Sequence, residues 1–235
     1  MIDVHAHILP GIDDGSCSIS MTEKMLHMET EQNVHHVIAT PHFYASESSI
    51  NHFLNDRKQA MQRLEEKISC NLEMPKITLG AEVYYFSGMG RASLEDLCIQ
   101  ETDLLLLEMP FTQWTEEIYR NVKEIIDKQG LTLIMAHVEC YYSYQKNKSI
   151  WNKIFELPVI AQFNAGCFLK FSKRKLALQF LKNNYPSLLG SDCHNISTRC
   201  PNLEDGRNVI LKKMGEEKWK EIDSFGEKLL QNHHL

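Results

Sequence analysis

Residues 104–108 read Leu-Leu-Leu-Leu-Glu, an apolar run that is short for a helix and that ends in a carboxylate. A run of this length without a polar position is typical of a strand that is buried on both faces of a parallel sheet. Other short apolar runs, rich in β-branched residues, are spread along the chain. The sequence therefore predicts seven strands, at residues 2–5, 36–40, 77–82, 104–108, 131–137, 159–164 and 187–192.

The segments between these runs have apolar residues at helical spacing, which predicts amphipathic helices. A stripe that includes Met21 and Met28 marks the first helix, with Ser20 or Thr22 as its cap. The other helices are predicted at residues 53–68, at 118–126 with Gly130 as its end, at 176–181, at 203–214 and at 217–230. Alternating strands and helices indicate an α/β fold with a barrel-like architecture, formed by a single domain over residues 1–235.

The composition excludes several classes of protein. Of the 235 residues 43% are apolar and 24% are charged, which is ordinary for a globular protein. The net charge of −6 is unfavourable for binding nucleic acid, so no nucleic-acid partner is expected. No apolar run approaches the roughly 18 residues of a membrane helix, so no membrane insertion is expected. Seven cysteines without a Cys-x-x-Cys pair, and no visible signal peptide, predict a cytoplasmic protein with reduced thiols.

Each predicted strand ends at or within two residues of a histidine, aspartate, glutamate or asparagine. In a barrel the carboxyl ends of the strands meet at one rim, so these side chains are expected to converge. Several carboxylates share a pocket at acceptable cost only if cations neutralise them, and imidazole with carboxylate suits Zn, Mn or Fe. Because so many ligands exceed the needs of one ion, we predict two or three divalent ions. The predicted ligands are His5, His7, Asp14, His42, Glu82, Glu108, His137, Asp192 and His194.

The combined motifs resemble the PHP (polymerase and histidinol phosphatase) superfamily over residues 1 to about 230. They are His5-Ala6-His7, Asp13-Asp14-Gly15, Thr40-Pro41-His42, Gly80-Ala81-Glu82, His137-Val138-Glu139 and Ser191-Asp192-Cys193-His194-Asn195. Residues 1–15 and 80–85 are most similar to one branch of the superfamily. That branch contains the manganese-dependent protein tyrosine phosphatases of bacterial capsule and exopolysaccharide loci.

This resemblance implies a distorted seven-stranded (β/α) barrel with a trinuclear centre, with manganese expected and iron or zinc as alternatives. The first ion would be held by His5, His7, Glu82 and Asp192. Glu82 would also bind the second ion, together with Glu108 and His137. The third ion would be held by Asp14, His42 and His194. The ions would polarise the phosphoryl oxygens and provide the attacking hydroxide. The implied substrate is phosphotyrosine on a bacterial tyrosine kinase that regulates polysaccharide synthesis. The sequence leaves the oligomeric state open.

The sequence departs from the branch at Cys140, where an arginine usually follows the His-x-Glu motif. Arginine suits a phosphoryl transition state because its planar fork pairs with two oxygens. The second arginine of the branch is matched by Arg199, which we predict to be catalytic. Substitute positive charge could come from Lys146, Lys148 or Lys170.

Three alternatives stay open from the sequence alone. Residues 193–199 match Cys-x5-Arg, so Cys193 could instead be a thiolate nucleophile with Arg199 as its phosphate ligand. The same metal site could serve a small-molecule phosphoesterase such as a histidinol phosphatase. With Cys140 in place of arginine, the protein could also be a binding protein with weakened catalysis.

Overall fold

Parallel strands and their connecting helices build the molecule. The computed structural model describes residues 1–68 and 74–232. The strands are β1 (Ile2–Ala6), β2 (His36–Ala39), β3 (His42–Phe43), β4 (Lys76–Leu79), β5 (Glu82–Tyr84), β6 (Leu104–Glu108), β7 (Thr132–Met135), β8 (Ile160–Asn164) and β9 (Ser187–Gly190). One parallel sheet has the order β1-β2-β4, and a second has the order β3-β5-β6-β7-β8-β9.

The helices lie in the segments that join the strands. They are α1 (Ile19–Glu31), α2 (Ile50–Ile68), α3 (Glu116–Gln129), α4 (Ser149–Phe155), α5 (Phe171–Lys182), α6 (Leu203–Met214) and α7 (Glu216–Asn232). Short 3-10 helices occupy Met89–Arg91, Glu95–Leu97, Val138–Cys140, Tyr142–Tyr144 and Ala165–Leu169. In the described part of the chain, no helix combines the length and the apolar character needed to cross a membrane.

The helices agree with the predictions except at one cap and one element. Ser18, and not Ser20 or Thr22, caps α1, because its side chain accepts a hydrogen bond from the backbone N–H of Met21. Gly130 ends α3 with a φ of 69°, as predicted. The short helix α4 was not predicted, because it is only seven residues long and a sequence of that length shows little helical periodicity.

The second predicted strand ends one residue early and is followed by a short strand outside the predicted range, and the third predicted strand is divided in two. Residues 36–40 become β2, with β3 after Pro41, and residues 77–82 become β4, with β5 after a break at residues 80–81. Proline has no N–H to donate to a neighbouring strand, so the ladder is interrupted there. The strand pairs β2–β4 and β3–β5 stay in register on the two sides of the break, because the N–H of Glu82 donates to the carbonyl of Pro41 at 3.0 Å.

The predicted strands at residues 131–137 and 187–192 are shorter than expected. Their last residues, His137 and Asp192, have positive φ values of 28° and 54°, which are incompatible with extended strand geometry. Residues other than glycine seldom adopt a positive φ, and those that do are concentrated at functional sites. Two of the predicted ligands therefore lie just beyond the strands that lead to them.

Alternate residues of the strands face a shared inner core. In β6, Leu104 and Leu106 point into it, and Glu108 continues the same alternation at the end of the strand. In β8, Gln162 follows Ile160 in the same way. The face that is apolar along the strands therefore becomes polar at their carboxyl ends. The inner core consists of Ile2, Val4, Ile38, Ile99, Leu104, Leu106, Ile134, Ala136, Ile160, Leu188 and Leu229.

Backbone hydrogen bonds join the end of β1 to the segment that follows β9. The N–H of Asp192 donates to the carbonyl of His5 at 2.8 Å, and the N–H of His7 donates to the carbonyl of Cys193 at 2.9 Å. Asp3 reinforces this junction, because its buried Oδ1 accepts the N–H groups of His5 and Ser191. The first and last strands thereby bring His5, His7 and Asp192 to the same place.

Gly190, the last residue of β9, is expected to tolerate no side chain. A Cβ at this position would lie 2.6 Å from Cβ of His5 and 2.9 Å from Nε2 of Gln162. We expect Gly190→Ala to lower the free energy of unfolding by about 2 kcal/mol, a typical cost of overpacking. The measurement is the urea midpoint.

Gly226→Ala is the matched control. This glycine lies within α7, where a Cβ would meet Leu188 at an ordinary 3.4 Å. Because alanine favours a helix interior, the control should gain about 0.5–1 kcal/mol. An unchanged midpoint in Gly190→Ala would contradict the close packing described.

Candidate metal centre

The carboxylate of Glu82 lies at the centre of the predicted ligand set. Glu82 begins β5, is fully buried, and is the register partner of His42 in β3. Its Oε2 lies 2.9 Å from Nδ1 of His42, 3.2 Å from Nε2 of His5 and 3.3 Å from Nε2 of His7. Its Oε1 lies 2.9 Å from Nε2 of His137. One buried carboxyl group thus faces imidazoles from several segments.

The remaining carboxylates surround this centre. Oδ1 of Asp192 lies 3.7 Å from Nε2 of His5 and 3.6 Å from Nε2 of His7. Oε1 of Glu108 lies 3.6 Å from Nε2 of His137. Asp192 therefore lies beside His5 and His7, and Glu108 lies beside His137.

Asp14 and His194 complete the set at its outer edge. Oδ1 of Asp14 lies 3.3 Å from Nε2 of His194 and 3.5 Å from Nε2 of His42. The side chain of Asp14 is 67% exposed, whereas that of His194 is 2% exposed. The group of His7, Asp14, His42 and His194 could hold one cation, because one ligand atom from each lies within 4.8 Å of the others. All nine predicted ligands are thus brought together.

Two residues that the sequence analysis did not assign hold the imidazoles in position. Oε1 of Gln162 accepts a hydrogen bond from the backbone N–H of His137 at 2.7 Å and lies 3.1 Å from Nδ1 of His5. Because this oxygen can only accept, Nδ1 of His5 must donate, which leaves Nε2 free to coordinate. Oδ2 of Asp13 lies 2.7 Å from Nδ1 of His7 and orients that ring in the same way.

The pKa values of His7 and Glu108 reflect the negative charge of neighbouring carboxylates. Burial, the largest effect, lowers the pKa of His7, but hydrogen bonds and charges from Asp13 and Glu82 outweigh it and raise the pKa to about 10. Burial followed by the charge of Glu82 raises the pKa of Glu108 to about 7. Carboxylates this close together need compensating cations, which either protons or metal ions can supply.

The chemistry of the donor set fits divalent metal ions. Oε2 of Glu108 is buried and has no hydrogen-bond partner among the described residues. Buried polar atoms normally have a partner, and a coordinated cation would provide it. A mixture of imidazoles and carboxylates suits Mn, Fe or Zn and does not select among them.

Arg199 lies beside the candidate centre. Its guanidinium donates to Oδ1 of Asp192 at 2.7 Å, while its side chain remains 44% exposed. The other oxygen of Asp192 accepts a hydrogen bond from the side-chain amide of Asn164 at 2.7 Å. The predicted arginine is therefore adjacent to a predicted ligand and within reach of solvent.

Of the lysines predicted as substitutes for the missing arginine, Lys170 lines a cavity together with Arg199. Lys148 donates to the carbonyl of Tyr142 and lies over the ring of that residue, so its charge is used locally. Lys173 of α5, which was not considered, donates to Sγ of Cys140 at 3.1 Å. Sequence spacing could not reveal this contact, because Cys140 and Lys173 are 33 positions apart and belong to different elements.

The environment of Cys193 argues against a thiolate nucleophile. Cys193 is fully buried and lies next to the buried carboxyl groups of Asp3 and Glu29. Burial, and then the charges of Glu29 and Asp3, raise the pKa of the Cys193 thiol well above its ordinary value. Arg199 is paired with Asp192 instead. The thiol of the Cys-x5-Arg match is therefore neither accessible nor reactive.

Glu82→Gln should damage the centre most, because it removes the one negative charge that lies between several imidazoles. In protein saturated with Mn²⁺ and then gel-filtered, we expect the loss of at least one bound ion. The affinity for the ions that remain should fall by about 100-fold, the upper end of the loss caused by removing a residue that only orients a ligand. Elemental analysis and calorimetry provide the measurements.

Glu65→Gln, on the exposed side of α2, is the matched control and should retain the metal content of the unaltered protein. Equal metal content and affinity in Glu82→Gln and in this control would exclude Glu82 as a central ligand.

The family of the chain follows from comparison with known proteins. The chain belongs to the family described as "Capsular polysaccharide synthesis, CpsB/CapC", which matches residues 1–230. This membership confirms the resemblance predicted from the motifs.

Individual relatives cover almost the whole chain. Tyrosine-protein phosphatase CpsB of Streptococcus agalactiae serotype III (strain NEM316) is 26% identical over 100% of both chains. Tyrosine-protein phosphatase YwqE of Bacillus subtilis (strain 168) is 24% identical over 100% of this chain and 93% of YwqE.

A solved structure shares the fold. A chain from the crystal structures of YwqE from Bacillus subtilis and CpsB from Streptococcus pneumoniae, described as unique metal-dependent tyrosine phosphatases, superposes with a TM-score of 0.85. The two chains are 22% identical, and the superposition covers 100% of this chain and 96% of the other.

Proposed function

We propose that this protein is a metal-dependent protein tyrosine phosphatase, a phosphoric monoester hydrolase. Its substrate is phosphotyrosine on a bacterial tyrosine kinase that regulates capsule or exopolysaccharide synthesis. The observation that carries the proposal is the convergence of imidazoles and carboxylates on Glu82, with Arg199 beside Asp192. The relatives named tyrosine-protein phosphatases, and their membership of the same capsule-related family, support this assignment.

Two or three divalent ions would be held by the nine predicted ligands, with manganese the expected ion and iron or zinc the alternatives. When bound, such ions polarise phosphoryl oxygens and lower the pKa of water. His5 and His7 would present Nε2, since Gln162 and Asp13 hold their other nitrogens. Glu82 would contribute a carboxylate to more than one ion.

Arg199 supplies positive charge that the ligands do not. Its guanidinium lies beside the ligand Asp192 and remains partly exposed, so one side of the fork can pair with phosphoryl oxygens while the other holds Asp192. Such pairing strengthens as negative charge develops on these oxygens in the transition state. We therefore assign a catalytic role to Arg199.

Aromatic side chains line the centre next to two of its histidines. The ring of Phe111, which is 39% exposed, stacks on His137 with centroids 5.9 Å apart. Tyr44 stacks on His42 at 5.2 Å and contacts Tyr84 at 5.6 Å. An aromatic lining of this kind favours an aromatic leaving group such as tyrosine. It thereby supports a phosphotyrosine substrate over histidinol phosphate.

We also propose that the two sheets form one distorted seven-stranded (β/α) barrel in a single domain over residues 1–235. In this arrangement β2 with β3, and β4 with β5, each count as one interrupted strand. Support comes from the shared inner core and from the hydrogen bonds between the ends of β1 and β9.

The direct test is phosphate release from a phosphotyrosyl peptide and from histidinol phosphate, before chelation, after chelation and after addition of Mn²⁺, Fe²⁺ or Zn²⁺. We expect hydrolysis of the peptide to vanish on chelation and to return with manganese. Cys193→Ser should retain the activity, because its buried thiol takes no part. Activity that is indifferent to chelation, or that prefers histidinol phosphate, would refute the proposal.

Removal of the Arg199 charge should slow hydrolysis more than it weakens binding. We expect Arg199→Met to lower kcat by roughly 100- to 1,000-fold, as is typical for loss of one transition-state donor. Arg207→Met, which removes a charge from α6 outside the site, is the control and should leave kcat unchanged. Equal kcat values in the two variants would contradict a catalytic role for Arg199.

A further inference from the structure

A cavity of about 340 Å³ adjoins the candidate metal centre on the side of Asp192. Its lining includes three basic side chains, which are Lys170, Lys173 and Arg199, and the acidic side chains Glu139 and Asp192. Asp192 is already paired with Arg199 and with the amide of Asn164. The cavity therefore brings positive charge to the edge of the centre.

Lys173 is a basic group of this cavity whose ammonium contacts a thiol and not a carboxylate. Its side chain is half-buried on α5, and within residues 1–68 and 74–232 no carboxylate lies within 4.0 Å of its ammonium. Its hydrogen bond goes to Sγ of Cys140 at 3.1 Å. A thiol sulfur is a weak acceptor, so the ammonium could exchange this contact for an anionic oxygen at little cost.

The position of Cys140 places this ammonium near the predicted ligands. Cys140 ends the 3-10 helix that follows His137, and its N–H donates to the carbonyl of His137 at 2.8 Å. The neighbouring Glu139 accepts a long hydrogen bond, 3.4 Å, from the backbone N–H of Asn164. Through its contact with Sγ of Cys140, the ammonium of Lys173 reaches this segment from α5.

We propose that Lys173 and Arg199 form an anion subsite at the edge of the metal centre, which binds an oxyanion of the substrate. This assignment deepens the proposed phosphatase function and rests on it. The oxyanion is either the phosphoryl group itself or the carboxylate of an acidic residue next to the phosphotyrosine. Both present oxygens with negative charge to an ammonium, so the geometry is common to the two sources.

The first experiment measures binding of inorganic phosphate to the manganese-loaded protein by calorimetry. The test variant is Lys173→Met, and the matched control is Lys175→Met, which removes an exposed charge from the same helix. If the phosphoryl group is the oxyanion, Lys173→Met should raise Kd by roughly 10- to 100-fold, the effect of losing a charged hydrogen bond. The control should keep the original Kd, and Lys173→Arg should restore most of the affinity.

The second experiment distinguishes the other source of the oxyanion. It compares KM for p-nitrophenyl phosphate and for two phosphotyrosyl peptides that differ by Glu or Gln beside the phosphotyrosine. If the flanking carboxylate is bound, the unaltered protein should prefer the Glu peptide by about tenfold, and Lys173→Met should abolish that preference. Phosphate binding and KM for p-nitrophenyl phosphate should then stay unchanged.

The subsite is overturned if Lys173→Met, with an unchanged melting temperature and metal content, matches Lys175→Met in phosphate affinity and in peptide preference. The result is separable from that of the proposed function. Protein that binds phosphate through Lys173 but hydrolyses no phosphotyrosine would retain the subsite and refute the phosphatase. Protein that hydrolyses phosphotyrosine with no dependence on Lys173 would retain the phosphatase function and refute the subsite.

Discussion

The constraint on which the structure depends is the burial of one carboxylate, that of Glu82, among the imidazoles of His5, His7, His42 and His137. A buried charge is costly unless it is paired, and the surrounding carboxylates add repulsion that only cations relieve. The neighbouring chain is shaped by this requirement. Gln162 and Asp13 hold two of the rings by their outer nitrogens, and the inner nitrogens therefore meet at one point. Imidazole nitrogens that are already oriented in this way need little rearrangement when ions bind.

The fold delivers these groups by a simple alternation. Side chains that point inward are apolar along the strands and polar at their carboxyl ends, as Leu106 and then Glu108 illustrate in β6. The apolar part excludes water beneath the centre, and charges above it interact more strongly in the resulting low-dielectric surroundings. The positive φ values of His137 and Asp192 end the strand geometry at two residues that carry predicted ligands.

Much of this arrangement could be predicted from the sequence, because strand ends and ligand types are local properties. The run at 104–108 coincides with β6, and all the predicted ligands lie together. What could not be predicted depends on contacts between distant segments. The extra strand β3 after Pro41 and the break at residues 80–81 depend on how these segments meet the neighbouring strands. The roles of Gln162 and Asp13 depend on rings that other elements position. For the same reason the approach of Lys173 to Cys140 across two elements could not be foreseen, although a missing arginine at Cys140 suggested that a substitute was needed.

The central claim is that Glu82 lies between metal ions. Its most direct test is anomalous X-ray diffraction from crystals of the protein grown with Mn²⁺, recorded on both sides of the manganese absorption edge. The account predicts two or three anomalous peaks within the nine-residue set, with at least two of them at coordination distance, about 2.0–2.3 Å, from oxygens of Glu82. A single peak that Glu82 does not contact, or no peak in that set, would contradict it.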